Sequence, residues 1–153
     1  MAKQPTVKVS VTALGQVRIF SPLTEEELAV LAENCSWSRH EAASEVLAQN
    51  APCDEVYFIC SGRVSAKTFS DAGKEITFAE LVQGDVFGEL SALDGQPRSS
   101  FVVTLEESLL AALPAHVFNE FLDSHPKVMR ALMVELTGRL RRADEKVFEF
   151  STL

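Results

Sequence analysis

The segment from Gly84 to Ser100 holds the residues whose types and spacing could bind a small anionic ligand. Gly88 allows a ligand to approach the backbone closely, because glycine has no Cβ. Arg98 follows Glu89 by nine residues, and its planar guanidinium can donate to two phosphate oxygens together. Glu89, when ionised, only accepts hydrogen bonds, so it would repel a phosphate but accept from a sugar hydroxyl. This pair therefore predicts a ligand that carries both a phosphate and a ribose.

Two further features of the segment suit the same ligand. One short helical turn is expected after Gly88, and its first backbone N–H groups can point at an anion. Ser99 adds a hydroxyl donor beside Arg98. Taken by themselves, a glutamate and an arginine at this spacing more often form a surface ion pair than a binding site. Residue types alone leave both interpretations open.

The order and spacing of these residues resemble the phosphate-binding cassette of the cyclic-nucleotide-binding domain family. Its pattern, F-G-E-L-x-A-L-x-x-x-P-R-x-A, matches Phe87 to Ser100 except at the last position, where serine replaces alanine. The resemblance implies that Glu89 takes the ribose 2′-hydroxyl while Arg98 and Ser99 take the cyclic phosphate. The ligand-binding residues that it implies are Gly88, Glu89, Leu90, Ser91, Ala92, Pro97, Arg98, Ser99 and Ser100.

The resemblance extends over most of the chain. Ile19 to Leu28 is similar to the family's N-terminal helix, Val56 to Val64 to its central strand pair, and Arg139 to Val147 to the dimerisation helix of bacterial Crp-Fnr regulators. It implies a mainly β fold with flanking helices: a β-roll of the double-stranded β-helix or jelly-roll type, followed by a long helix. We expect residues 1–123 to form the roll with its N-terminal helix and residues 124–153 to form the C-terminal dimerisation helix.

The identity of the base depends on the long helix. In a well-studied bacterial family member, a Thr-Ser pair on this helix meets adenine, and the matching residues here are Ala143 and Asp144. Asp144 could accept from the 6-amino group of adenine or from N1–H and the 2-amino group of guanine. A solvated Asp144 is an equal alternative. Ser99 suits both bases, so cAMP is expected because it is the commoner bacterial ligand, with cGMP as the close alternative and no other cofactor.

The predicted elements can position such a site. Short β-branched and aromatic runs, separated by turn residues, predict an antiparallel barrel or sandwich; they are Val56–Cys60, Val64–Phe69, Ile76–Leu81, Phe101–Thr104 and Leu109–Leu113. Thr24 and Glu27 have the capping-box spacing that starts a helix. After Ser124, apolar residues recur at steps of three and four and predict a helix too long for this domain to cover. Part of its apolar stripe should therefore meet a second copy in a homodimer.

The alternation of Val7, Val9 and Val11 predicts a short edge strand or a frayed terminus. Cys35, Cys53 and Cys60 have no metal-ligand spacing, which favours buried thiols.

Composition limits the partners. The 153 residues include 22 acidic and 14 basic side chains, for a net charge of −8, which would repel nucleic acid over most of the surface. The basic residues Arg139, Arg141, Arg142 and Lys146 are followed or interrupted by acidic ones, so we interpret them as a solvated helix face. No apolar run is long enough to span a bilayer, and no secretory signal is recognisable. We expect a cytoplasmic protein that binds neither membrane nor, by itself, nucleic acid.

These observations favour a ligand sensor rather than an enzyme, because no catalytic constellation is found. The sensor is either part of a longer regulator that carries a DNA-binding domain or a single-domain receptor that acts on a partner protein. The alternative is a structural or protein-interaction dimer that keeps the scaffold without binding a nucleotide. A redox or gas sensor is a third hypothesis, which the dispersed cysteines disfavour.

Overall fold

The computed structural model describes residues 7–47, 55–98 and 100–151, and the following elements lie within them. The helices are α1 (Val7–Gly15), α2 (Glu25–Asn34), α3 (Glu89–Asp94), α4 (Ala115–Ser124) and α5 (Pro126–Ser151), with a short 3-10 turn at Arg18–Phe20. The strands are β1 (Ser36–His40), β2 (Glu45–Leu47), β3 (Glu55–Ser61), β4 (Arg63–Phe69), β5 (Glu75–Val82), β6 (Val86–Phe87), β7 (Phe101–Thr104) and β8 (Ser108–Pro114).

Two four-stranded antiparallel sheets form the body of the roll. Their strand orders are β1-β8-β3-β6 and β2-β7-β4-β5. Each of the five runs predicted as strands lies within one of β3, β4, β5, β7 and β8, so the prediction of a mainly β fold with flanking helices is confirmed. A small core fills the space between the sheets; its buried members are Ile59, Val64, Phe87, Val102 and Leu110.

The larger core lies where the helices pack on the first sheet. Its centre is aromatic: the ring of Phe58 lies 4.8 Å from that of Phe20 and 5.9 Å from that of Phe118, measured between centroids. The predicted capping box is confirmed, since Thr24 Oγ1 accepts from the Glu27 N–H and Glu27 Oε1 accepts from the Thr24 N–H. This cap fixes the start of α2 and hence the surface on which α1 lies.

The N-terminal prediction is wrong, because Val7–Gly15 form helix α1. Ser10 and Leu14 are buried and lie four residues apart, on one helical face, whereas Val9 is half exposed. The alternating valines match a strand period only by coincidence. The side chains that are buried, Ser10 and Leu14, have the spacing of one helical turn.

Helix α5 confirms the long C-terminal helix predicted after Ser124. Its 26 residues span about 39 Å at 1.5 Å per residue. Val128 and Leu132 in its first turns are buried, but Leu140 and Val147 farther along are 63% and 67% exposed. The division of the chain at residue 124 stays a prediction, as does the dimer. No helix in the described ranges has both the length and the apolar character needed to cross a lipid bilayer.

Candidate functional site

A cavity of about 770 Å³ lies between three parts of the molecule. Residues 87–91 of the cassette, with Arg98 and Ser100, form one wall; β4 and β5 of the second sheet form another, and α5 closes the third side. Apolar side chains line most of the sheet side, among them Ala66, Ala79 and Leu81, with Glu80 of β5 beside them. The other charged residues of the lining lie on the cassette, on α5 and near the 3-10 turn, so the sheet wall is the more apolar part of the cavity.

Gly88 shapes the cassette end of the cavity. Its φ of +83° lies in the left-handed region, and it caps the N-terminus of α3. A Cβ at this position would lie 2.5 Å from Arg98 Nη1 and 2.9 Å from the Glu55 carbonyl oxygen. Only glycine therefore allows the Arg98 guanidinium to pack against this backbone.

Arg98 is a buried cation whose hydrogen-bonding capacity is largely unused. It is 4% exposed, and Nη2 donates to the Glu55 carbonyl oxygen at 2.6 Å. Its Nε and Nη1 are buried and have no hydrogen-bond partner among the described residues. Leaving charged donors buried and unpaired costs free energy, so an anionic acceptor beside Nε and Nη1 would stabilise this side chain.

Glu89, at the start of α3, is 2% exposed and pairs with helix α5. Its Oε1 accepts from Arg139 Nη1 at 2.6 Å, and Arg139 Nη2 donates to the Val86 carbonyl oxygen at 2.8 Å. Burial raises the pKa of the Glu89 carboxyl above its ordinary 4.5, and the Arg139 guanidinium offsets part of that rise. The carboxylate predicted to bind a ribose is therefore also the point where α5 contacts the cassette.

A second ionic contact fastens α5 one turn earlier. Arg18 pairs with Asp85 and, through Nε, with Glu135 Oε1 at 2.9 Å. Asp85 is itself fixed, because its Oδ2 accepts from the Val82 N–H at 2.7 Å. Glu135 and Arg139 are four residues apart on α5, so both contacts lie on the helix face that meets the roll.

A family model described as "Cyclic nucleotide-binding domain" matches residues 38–125, more than half of the chain. The chain belongs to the cyclic nucleotide-binding domain family. It is homologous to the regulators of the Crp-Fnr type, as the resemblance of the cassette predicted.

Three relatives illustrate how the domain compares with known proteins. The cAMP-activated global transcriptional regulator CRP of Escherichia coli O6:H1 is 27% identical over 127 residues, 82% of this chain and 60% of that protein. The CRP-like cAMP-activated global transcriptional regulator of Mycobacterium tuberculosis is 26% identical over 134 residues, 88% of this chain and 60% of that protein. The solved structure of Thermus thermophilus catabolite activator protein has a TM-score of 0.77 at 28% identity, covering 88% of this chain and 63% of its own. This domain thus spans about 60% of the length of the curated regulators that it matches.

The other cassette residues fall into two groups. Leu90, Ser91 and Ser100 line the cavity of the cyclic nucleotide-binding domain together with Gly88, Glu89 and Arg98. Ala92 packs into the core instead, and its carbonyl oxygen accepts from Asn119 Nδ2 at 2.9 Å. Pro97 is exposed and outside the lining. Ser99 lies outside the described residues, so its contact with a phosphate stays a prediction.

On α5 the structure brings different residues to the cavity than the sequence suggested. Asp144 is exposed and does not line the cavity, because it lies about 140° around the helix from Arg139. Its role as a base reader stays a prediction. The prediction that Arg139 belongs to a solvated face is wrong, because its side chain is only 27% exposed and pairs with Glu89. Arg142, Ala143 and Lys146 also line the cavity.

The signal that finds these α5 residues is helical spacing. Each of positions 135, 139, 142, 143 and 146 lies three or four residues from at least one of the others, so together they share one face. The local balance of acidic and basic neighbours concealed this face, because charge along the chain carries no information about direction around a helix.

The cysteines of the described residues offer no reactive thiolate. Cys35 and Cys60 are buried, and burial raises the pKa of both thiols to about 12. Cys53 lies outside the described residues. Within residues 7–47, 55–98 and 100–151, no group of three or more His, Cys, Asp and Glu side chains could hold a metal ion.

Proposed function

We propose that this domain binds a cyclic nucleoside monophosphate and that Arg98 holds its phosphate. The observation that carries the proposal is the pair of buried Arg98 donors, Nε and Nη1, which have no partner among the described residues although the side chain lines the cavity. A cyclic phosphate has two exocyclic oxygens that can accept from the two edges of a guanidinium. A scaffold without a ligand is not favoured, because it would leave this buried cation permanently unsatisfied.

The ribose lies at Glu89 in this proposal. A ribose hydroxyl would donate to the Glu89 carboxylate, whose Oε1 already accepts from Arg139. A nucleotide therefore either shares Glu89 with α5 or displaces Arg139 from it. The sheet wall, with its alanine and leucine side chains, offers an apolar surface to the base.

Because the ribose and Arg139 compete for Glu89, helix α5 relays nucleotide occupancy. A ligand shifts a conformational equilibrium only by its difference in affinity for the two states. Glu89 supplies that difference, since the ribose and Arg139 use one buried carboxylate. Nucleotide binding thus changes how firmly α5 is held to the roll, and α5 carries the change along its length.

The output of this relay requires a partner for α5. Its exposed apolar residues Met133, Leu140 and Val147 are suited to a second copy of the chain, which would make a homodimer. The relatives' names point to cAMP and to transcriptional regulation. Because the domain spans about 60% of those proteins, we place the output in an additional DNA-binding domain or in a partner protein, acting in the cytoplasm without catalysis.

Calorimetric titration of the wild-type domain with cAMP and with cGMP tests the proposal, with Arg98→Ala and Arg98→Lys as variants. We expect saturable binding to the wild type and a loss of affinity of at least about 100-fold in Arg98→Ala, because a buried charge-assisted pair is removed. Arg98→Lys keeps the charge without the planar fork and should bind with intermediate affinity. Melting temperatures verify that both variants remain folded. Binding that is unchanged in a folded Arg98→Ala would refute the site, and no binding of either nucleotide to the wild type would favour the scaffold alternative.

A further inference from the structure

We infer that Arg142 and Lys146 on α5 read the edge of the base, and that the domain therefore prefers the guanine nucleotide cGMP over cAMP. This inference rests on the proposed function, because it concerns the base of the nucleotide whose phosphate Arg98 holds. It departs from the relatives, which are described as cAMP-activated.

The position of the two side chains along α5 is the first argument. Arg139 contacts Glu89, where the ribose is proposed to lie. Arg142 and Lys146 follow it by about 4.5 and 10.5 Å along the helix axis, at 1.5 Å per residue. Both line the same cavity as Arg139. A base attached to the ribose at Glu89 and directed along α5 therefore reaches these two cations and the small side chain of Ala143 between them.

Neither cation is paired within the part of the chain that the structure describes. Arg18 pairs with Asp85 and Glu135, and Arg139 pairs with Glu89. In the described part of the chain, Arg142 and Lys146 have no ion pair or hydrogen bond. The cavity thus carries more positive charge at its α5 side than its own carboxylates neutralise, and these donors are available to a ligand.

The chemistry of the two bases is the third argument. Lysine and arginine can only donate hydrogen bonds. Guanine presents two adjacent acceptors, O6 and N7, and arginine or lysine on that edge is a common specific contact to guanine. Adenine presents N7 beside a 6-amino group, which is a donor and would face the donors of Arg142 and Lys146. The apolar side chains of the sheet wall accept either base, and Glu80 on that wall pairs with Arg63, so the cations on α5 are the group that distinguishes the two bases.

The ratio of the dissociation constants for cAMP and cGMP isolates this contact. Both nucleotides carry the same single negative charge, so the long-range attraction of the cavity cancels in the ratio. We expect the wild type to bind cGMP about 10-fold more tightly than cAMP, within the range that one good arginine–guanine contact provides. The double variant Arg142→Met/Lys146→Met should reduce the ratio to within about twofold, while the loss of two positive charges lowers the affinities for both nucleotides alike.

Arg141→Met is the matched control. It removes one positive charge from the position next to Arg142, but Arg141 lies about 200° around α5 from Arg139 and does not line the cavity. It should keep the cGMP preference. Equal affinities, tighter binding of cAMP by the wild type, or a cGMP preference that survives the double variant would each overturn the inference while the proposed function stands. Failure of the wild type to bind either nucleotide would instead refute the proposed function.

Discussion

Two arginines face the same cavity but differ in how many of their nitrogens are hydrogen-bonded. Arg98, on the cassette side, is 4% exposed, and among the described residues only its Nη2 has a hydrogen-bond partner, the Glu55 carbonyl oxygen. Arg139, on the α5 side, is 27% exposed in its side chain and uses both terminal nitrogens, on Glu89 and on the Val86 carbonyl oxygen. The first needs a further acceptor, whereas the second has its acceptors already.

Under the proposed function, this difference separates ligand binding at Arg98 from the response of α5. An unsatisfied buried cation gains free energy when an anionic ligand arrives, so the Arg98 side is prepared for ligand capture. A satisfied pair gains nothing by itself, and a ligand that uses Glu89 must replace or share what Arg139 supplies. Exchange of similar interactions leaves only a small difference in free energy between the two states, which allows occupancy to shift α5.

The largest effect is expected from Gly88→Ala, which disturbs the packing of Arg98 on the cassette side of the cavity. A Cβ would collide with Arg98 Nη1 and with the Glu55 carbonyl oxygen, and the left-handed backbone adds about 1–2 kcal/mol of strain. We expect nucleotide affinity to fall at least about 100-fold, since the guanidinium must move, together with a loss of stability in urea unfolding.

Gly95→Ala is the control for Gly88→Ala. Gly95 also has a positive φ, of +72°, but a Cβ there would meet nothing within 4 Å. Gly95→Ala should add the same backbone strain, lose about 1–2 kcal/mol of stability, and retain nucleotide binding. Equal affinities of the two variants would show that displacement of Arg98 is not what Gly88 prevents.

The next-largest effect is expected from Arg139→Met, on the α5 side of the cavity. The variant leaves the Glu89 carboxylate buried without its cation, and we expect a loss of about 2 kcal/mol of stability near neutral pH. Burial already raises the pKa of Glu89, and the variant raises it further because the Arg139 charge no longer opposes the shift. The folded state then holds this proton more tightly than the unfolded chain does. The deficit relative to wild type should therefore shrink as the pH falls through the raised pKa.

Urea unfolding at several pH values, from neutral to mildly acidic, measures this trend. Addition of Glu89→Gln to Arg139→Met should restore stability and remove the pH dependence, because no carboxylate remains to be buried. Hydrogen exchange along α5 should increase in Arg139→Met. A deficit that is constant with pH would mean that Arg139 stabilises α5 by packing rather than through Glu89.

The contrast between the two sides also explains what could be predicted from the sequence. The cassette from Phe87 to Ser100 and the Thr24 capping box depend on residues that are close along the chain, so both can be recognised from the sequence without knowledge of the fold. The pairing of Arg139 with Glu89 joins residues fifty positions apart, and only the packing of α5 on the roll creates it.

The strand predicted at the N-terminus and the solvated face predicted at Arg139 are wrong for a common reason. Val7, Val9 and Val11 alternate like a strand, and Arg139 has both acidic and basic neighbours along the chain, yet in both cases the direction around the helix decides which side chains face the protein. That direction depends on tertiary contacts, such as the burial of Leu14 against the core and the Arg18–Glu135 ion pair. Spacing along a helix defines its faces, but it does not say which face is turned inward.

The smallest effect is expected from Arg18→Met, which tests whether α5 is held at two points. Arg18 is half exposed, so solvent screening limits the loss of stability to about 0.5–1 kcal/mol. Arg39→Met, which removes a longer and more exposed pair with Glu107, should cost close to nothing. Because Glu135 and Arg139 lie one turn apart, the losses in the double variant Arg18→Met/Arg139→Met should not add. Additive losses in that double-mutant cycle would show that the two contacts hold α5 independently, and the relay would then depend on Arg139 alone.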